Sequence, residues 1–134
     1  MIFGPDELLE FVAYHAAKLD VPVPVDRATM RDVVAEAERL AGGRTDDEPA
    51  ALFYACARRA GLLGKVGRTF FDDIAVAQAD AIGLALHASE LDLVLLRGRI
   101  AFGAAGWEDV RADFAAWLNA PGQKPKRTAP KRPR

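Results

Sequence analysis

Cysteine occurs once, at Cys56, so no disulfide can form within the chain and a disulfide-stapled scaffold is excluded. A lone thiol in an Ala-rich segment reads as a small buried hydrophobe and fits a reducing, cytoplasmic setting. Histidine is nearly as scarce, with His15 and His87 on separate segments. There is no HExxH, no His/Cys cluster and no carboxylate pair at metal-ligand spacing, so no metal or other cofactor is expected. Long apolar runs are missing too. The longest, residues 74–86, is broken by Gln78 and Asp80, which excludes a membrane-spanning helix. The first ten residues carry acids and no basic cluster, unlike a secretory signal.

What is abundant is alanine, in a chain that is 51% apolar with modest β-branched content. That composition favours helix and supplies enough apolar surface for one core in 134 residues. The net charge of −1 conceals a division. Residues 121–134 hold Lys124, Lys126, Arg127, Lys131, Arg132 and Arg134 and no acid. Taking those six from the 18 Lys and Arg of the whole chain leaves 12 against 19 acids, or −7, in residues 1–120. The expected organisation is an acidic helical domain over 1–120, then a basic, Pro-rich disordered tail over 121–134. The tail has no aromatic residue, which gives no support for base stacking.

Periodicity and punctuation place most elements. A first helix from Pro5 to about Lys18 carries Leu8, Leu9, Phe11, Val12, Ala16 and Leu19 on its apolar face, with Asp6 and Glu7 in its first turn. The Val-Pro-Val-Pro-Val stretch at 21–25 is held extended by its prolines. A second helix runs from about Arg27 to Leu40, capped by Asp26 and stopped by Gly42 and Gly43. A third spans about 49–60. A fourth, over about 68–89, is apolar on nearly every side, the mark of a helix buried in mid-bundle. Residues 91–100 fit helix and strand equally, 103–106 form a loop, and a last helix covers 108–118. The fold class is all-α: a compact bundle of five to six helices around a buried central helix at about 68–89.

Between the third and fourth helices lies Ala-Gly-Leu-Leu-Gly-Lys-Val-Gly-Arg-Thr, residues 60–69. Three glycines within seven residues, opening a helix and flanked by Lys65 and Arg68, have the chemistry of an anion-binding loop. Lys65, Gly67, Arg68 and Thr69 are the candidate phosphate- or nucleotide-binding residues. It is not a Walker loop, because Arg68 rather than Lys follows Gly67. The competing reading is a plain interhelical turn capped by Thr69. The loop holds no His, Asp, Glu, Cys or Ser. Asp72 and Asp73 fall in the next helical turn, where they complement the dipole and stand ready to pair with Arg58, Arg59 or Arg68. Asp80, among apolar neighbours, reads as a buried carboxylate in need of a partner.

Set in its helices, this loop resembles the active-site motif of the Fic/Doc family, H-P-F-x-[D/E]-G-N-[G/K]-R. Laid on the chain without gaps, the motif starts at Ala60. Gly67 and Arg68 match its closing pair, and Thr69 fits the Arg-Thr of Doc-like members. Asp6-Glu7-Leu8-Leu9, residues 50–59, 70–86 and 106–118 resemble the family's surrounding helices, so the likeness covers about 5–119. The departures lie at the chemistry. Ala60 stands at the family's His, the base that deprotonates the target hydroxyl. Gly64 stands at the acidic metal ligand, Lys65 at the following Gly and Val66 at the Asn.

The resemblance implies a small toxin-type protein of a toxin–antitoxin module, bound by an antitoxin segment along its helical surface. It also implies a family member that has lost the usual AMP or phosphate transfer and acts by binding. Two alternatives stand beside it. One is a helical binding module contacting nucleic acid or an acidic protein through its tail. The other is an enzyme whose altered site uses Lys65 or a His from elsewhere in the chain. The tail reading has a direct consequence. If all six tail cations pair with duplex phosphates, log affinity falls against log salt with a slope of about −5, and truncation after residue 120 abolishes binding. Fluorescence anisotropy on a labelled duplex checks this, and equal affinity with and without the tail ends the idea.

Overall fold

The computed structural model of the chain describes residues 1–122. Its first helix, α1 (Pro5–Lys18), starts where proline costs no hydrogen bond, and the Glu7 carboxylate accepts from the Gly4 amide at 3.0 Å. Leu8, Val12, His15 and Ala16 form its buried side, with His15 three residues after Val12 on the core face. The segment up to Asp26 has no regular structure. Helix α2 (Arg27–Ala41) begins on Asp26, whose carboxylate accepts from the Thr29 amide and hydroxyl, both at 2.9 Å. Those bonds, the amide's first, hold Asp26 below the usual carboxylate range. Gly42, at φ +56°, ends α2 in the left-handed conformation that glycine adopts without strain.

A 3-10 turn at Thr45–Asp47 leads into α3 (Glu48–Ala57). Pro49, Ala50, Ala51, Leu52, Phe53, Ala55, Cys56 and Ala57 of this helix are all buried. Helices α2, α5 (Gly67–Ala81), α6 (Glu90–Ala101) and α7 (Trp107–Trp117) all pack on it. Four alanines keep α3 narrow, so its neighbours approach closely. Its buried ring, Phe53, meets Phe71 of α5 edge-on at 6.0 Å and Phe114 of α7 at 5.3 Å. Cys56 lies inside this packing, and burial pushes its thiol up to about 12, which leaves it inert.

The helix at the middle of the bundle is therefore α3, a correction to the reading that places it at 68–89. Helix α5 stops at Ala81. Gly83, at φ +79°, donates to the Asp80 carbonyl at 3.0 Å while the Leu84 amide reaches the Ala79 carbonyl at 2.9 Å. That pair of bonds satisfies the last carbonyls and turns the chain out of the helix. Residues Ala85–Leu86 (β1) then pair antiparallel with Leu118–Asn119 (β2), Ala85 opposite Asn119 and Leu86 opposite Leu118. His87 follows β1 in extended chain rather than on a helix, and its amide bonds the Trp117 carbonyl at 2.8 Å. Asp80 is exposed on the last turn of α5, so it needs no buried partner. Residues 91–100 resolve as the helix α6, set by a reciprocal cap: the Ser89 hydroxyl accepts from the Asp92 amide at 3.0 Å and the Asp92 carboxylate from the Ser89 amide at 3.1 Å. A one-turn helix, α4 (Ala60–Leu63), completes the described helices. Among the described residues, then, the fold is a bundle of six longer helices plus that turn, with one short two-stranded sheet.

Two buried polar side chains tie distant parts together. Gln78 of α5 donates to the Met1 carbonyl at 2.9 Å and accepts from the Phe3 amide at 3.1 Å, which fixes the start of the chain to the core. Glu36 of α2, only 4% exposed, receives both arginines from the end of α3. Arg59 Nη1 lies 2.5 Å from Oε1, and Arg58 donates to Oε2. Arg58 and Arg59 are thus partnered with Glu36, and not with Asp72 or Asp73. The two sides of this pair differ, because Arg58 is half exposed while Glu36 is sealed. Removing both arginines should strand a buried carboxylate and cost about 3–5 kcal/mol. Glu36→Gln should cost about 1–2 kcal/mol, since the freed guanidinium groups can reach water. Urea denaturation measures both, and equal losses would contradict this account.

Candidate functional site

The segment between α3 and α5 is helical almost throughout. Helix α4 is followed by a 3-10 turn, Gly64–Val66, that runs directly into α5. The expectation of an open loop is therefore corrected. Leu63 and Val66 are buried and anchor the segment to the core, whereas Leu62 is exposed. The three glycines have three different surroundings. Gly61 has open space around it, so a side chain would meet nothing. Gly64 sits at φ +53°, ψ −134°, a conformation in which a Cβ is strained. Gly67 is buried, and a Cβ there would lie 2.9 Å from Phe71 Cε2 and 3.4 Å from Leu63 Cβ. Gly67 thus exists for close packing. Its amide is already bonded to the Gly64 and Lys65 carbonyls, so it does not face an anion.

Lys65 and Arg68 are both exposed, and among the described residues neither forms an ion pair. They keep the cationic character expected of the loop, without a converging nest of amides behind them. Thr69 does not cap the helix: Val66 occupies the N-cap of α5, with no side-chain capping bond. The Thr69 hydroxyl lies instead 2.9 Å from His15 Nδ1. On the other side of the ring, His15 Nε2 lies 2.8 Å from Asp73 Oδ2. His15 is 6% exposed, with the Tyr14 ring edge-on at 5.2 Å. An open groove of about 440 Å³ runs alongside, lined by Glu10, Phe11, Tyr14 and Asp73.

Asp72 faces the other way. Burial pushes its carboxyl up, Arg97 of α6 opposes that shift, and Glu90 and Asp73 add to it. Arg97 lies over the Phe71 ring at 5.3 Å, with Nη1 3.4 Å from the Gly67 and Arg68 carbonyls. The sequence reading misses both His15 and Arg97 as members of this site. His15 was visible as a core-facing position, at the spacing of Leu8 and Val12. Arg97 lies 30 residues from Gly67 and carries no local signal. The tail candidates Lys124, Lys126, Arg127, Lys131, Arg132 and Arg134 fall outside the described residues.

A divalent metal of the kind the Fic/Doc motif implies does not fit these residues. Gly64 offers no carboxylate, Asp73 is engaged by His15, and Asp72 lies beside Arg97. Among the described residues no group of three His, Cys, Asp or Glu is placed to hold a metal. Comparison with protein-family models, with curated proteins and with solved structures returned no match.

The contrasting glycines can be tested in one series. Gly67→Ala should destabilise by about 1–3 kcal/mol through overpacking against Phe71. Gly64→Ala should cost about 1–2 kcal/mol through backbone strain. Gly61→Ala should leave stability unchanged or raise it by up to about 1 kcal/mol. Thermal unfolding of the three variants ranks them, and a neutral Gly67→Ala would refute the packing role.

Proposed function

We propose that this chain is a Fic/Doc-like protein of toxin type that acts by binding and has lost the usual AMP or phosphate transfer. The observation that carries the reading is the character of residues 60–69. Exposed Lys65 and Arg68 stand where a central-bundle helix meets α5, on a segment that offers neither a base nor a metal-holding acid. Ala60 and Gly64 occupy the two positions on which the family's transfer depends, and Val66, buried in the core, occupies the position of its Asn. What is left is two cations without an ion pair among the described residues, suited to a phosphate or a nucleotide, with Arg68 able to grip it bidentately.

A protein partner fits the same reading. Helix α6 turns Leu93, Leu96 and Ile100 inward, yet Leu91, Leu95 and Phe102 at its other side are 64%, 51% and 91% exposed. An apolar stripe of that kind is what an antitoxin segment would cover. The second reading, binding through the basic tail, is favoured by the charge division between residues 1–120 and 121–134.

Calorimetric titration with ATP tests the ligand. Arg68→Ala should weaken binding about tenfold or more, equivalent to about 1.4 kcal/mol. Labelled ATP should at the same time leave no AMP or phosphate on proteins of a cell extract. Label transfer to a target protein, or an affinity unchanged by both Lys65→Ala and Arg68→Ala, refutes the proposal.

A further inference from the structure

Thr69, His15 and Asp73 make a continuous hydrogen-bonded chain across the α1–α5 interface. Their order is hydroxyl, imidazole, carboxylate, with separations of 2.9 and 2.8 Å. The carboxylate decides where the protons lie. Asp73 can only accept, so it holds the imidazole proton on Nε2. With the imidazole neutral, Nδ1 is then the acceptor, and the Thr69 hydroxyl donates to it. This is the arrangement that activates a weak nucleophile: an adjacent base, oriented by a third group. Its members also differ in access as such a device requires. Thr69 is exposed, while His15 is only 6% exposed.

We propose that Thr69 is a self-acceptor of phosphoryl groups, with His15 as its general base and Asp73 as the positioning residue. Two exposed cations in the same segment favour a donor that carries phosphate. Lys65, in the 3-10 turn four residues before Thr69, and Arg68, just before it in α5, are both exposed and both attractive to a phosphorylated donor. The donor class is a small acyl phosphate. Thr69 Oγ1 attacks phosphorus as its proton passes to His15 Nδ1. The phosphorus–oxygen bond to the acyl group breaks, and that electron pair leaves on the carboxylate. The products are phosphothreonine, a free carboxylate and an imidazolium, which returns its extra proton to solvent. This reaction needs neither Ala60 nor Gly64, and it stands or falls independently of the family reading.

The test uses the full chain with acetyl phosphate, followed by intact mass and peptide mapping. The wild-type protein should gain one phosphoryl group on Thr69. Thr69→Ser should keep the reaction and Thr69→Val should lose it. His15→Gln, which preserves hydrogen bonding but not basicity, should slow it by about 100-fold. Asp73→Asn should slow it by about tenfold or more while Asp73→Glu restores part of the rate, a pattern a merely structural contact would not give. If His15→Gln fails to fold, judged by its thermal melt, the Asp73 pair and the Thr69 pair still decide. Absence of phosphate on Thr69 in the wild type overturns the proposal. So does phosphate found on His15 or on lysines instead, or equal rates in His15→Gln and the wild type.

Discussion

The burial of α3 on every side is the constraint on which the other helices depend. Ten residues, among them four alanines and one phenylalanine, must serve as the packing surface for α2, α5, α6 and α7 together. Alanine makes this feasible, because a thin helix lets four neighbours share one axis. Apart from Glu48 at its start and the half-buried Tyr54, it also leaves α3 without polar side chains, so the polar contacts of its far end fall to the residues that follow it. The two arginines that follow α3 meet that need, and they find the buried Glu36 of α2. The α2–α3 pairing is thus closed by a buried carboxylate that takes both arginines.

The candidate site follows from the same packing. Residues 60–69 must return the chain from the core helix to α5 within a short span, and two glycines do so by different means. One supplies a backbone angle at Gly64, and the other supplies room for the Phe71 ring at Gly67. In this glycine-rich stretch one glycine serves a backbone angle and another the room that the Phe71 ring and Leu63 need. The polar chemistry of the region comes from α1, whose His15 reaches across to Thr69 and Asp73.

Local signals made part of this legible in the sequence. Pro5, Asp26 and Gly42 mark helix ends because each acts within one turn of where it stands, and α1 and α2 follow those marks closely. The cap at Ser89 is just as local, since Ser89 and Asp92 form a capping pair that distinguishes helix from strand for α6. The end of α5 was not legible. Gly83 lies inside an apolar run, and what draws residues 85–86 out of the helix is pairing with residues 118–119. Nor could periodicity tell α5 from α3 as the central helix, because both are apolar on most sides. The pairing of Arg58 and Arg59 with Glu36 spans more than 20 residues, beyond any pattern of neighbours. Lys65 and Arg68 were legible as exposed cations, whereas the partner of Thr69, 54 residues away, was not.

The latch formed by Gln78 bears on how the molecule is made. Its amide group holds the carbonyl of Met1 and the amide of Phe3, residues synthesised 77 and 75 positions earlier. On the ribosome, α1 and α2 can form as soon as they emerge, since their caps are local. Phe3 meets the Phe11 ring of α1 at 5.5 Å and Met1 pairs with Glu48, but the two hydrogen bonds to Gln78 wait until most of α5 has emerged. Residues 1–3 are therefore held by a helix that follows them by more than 70 positions, and α5 fastens them to the core.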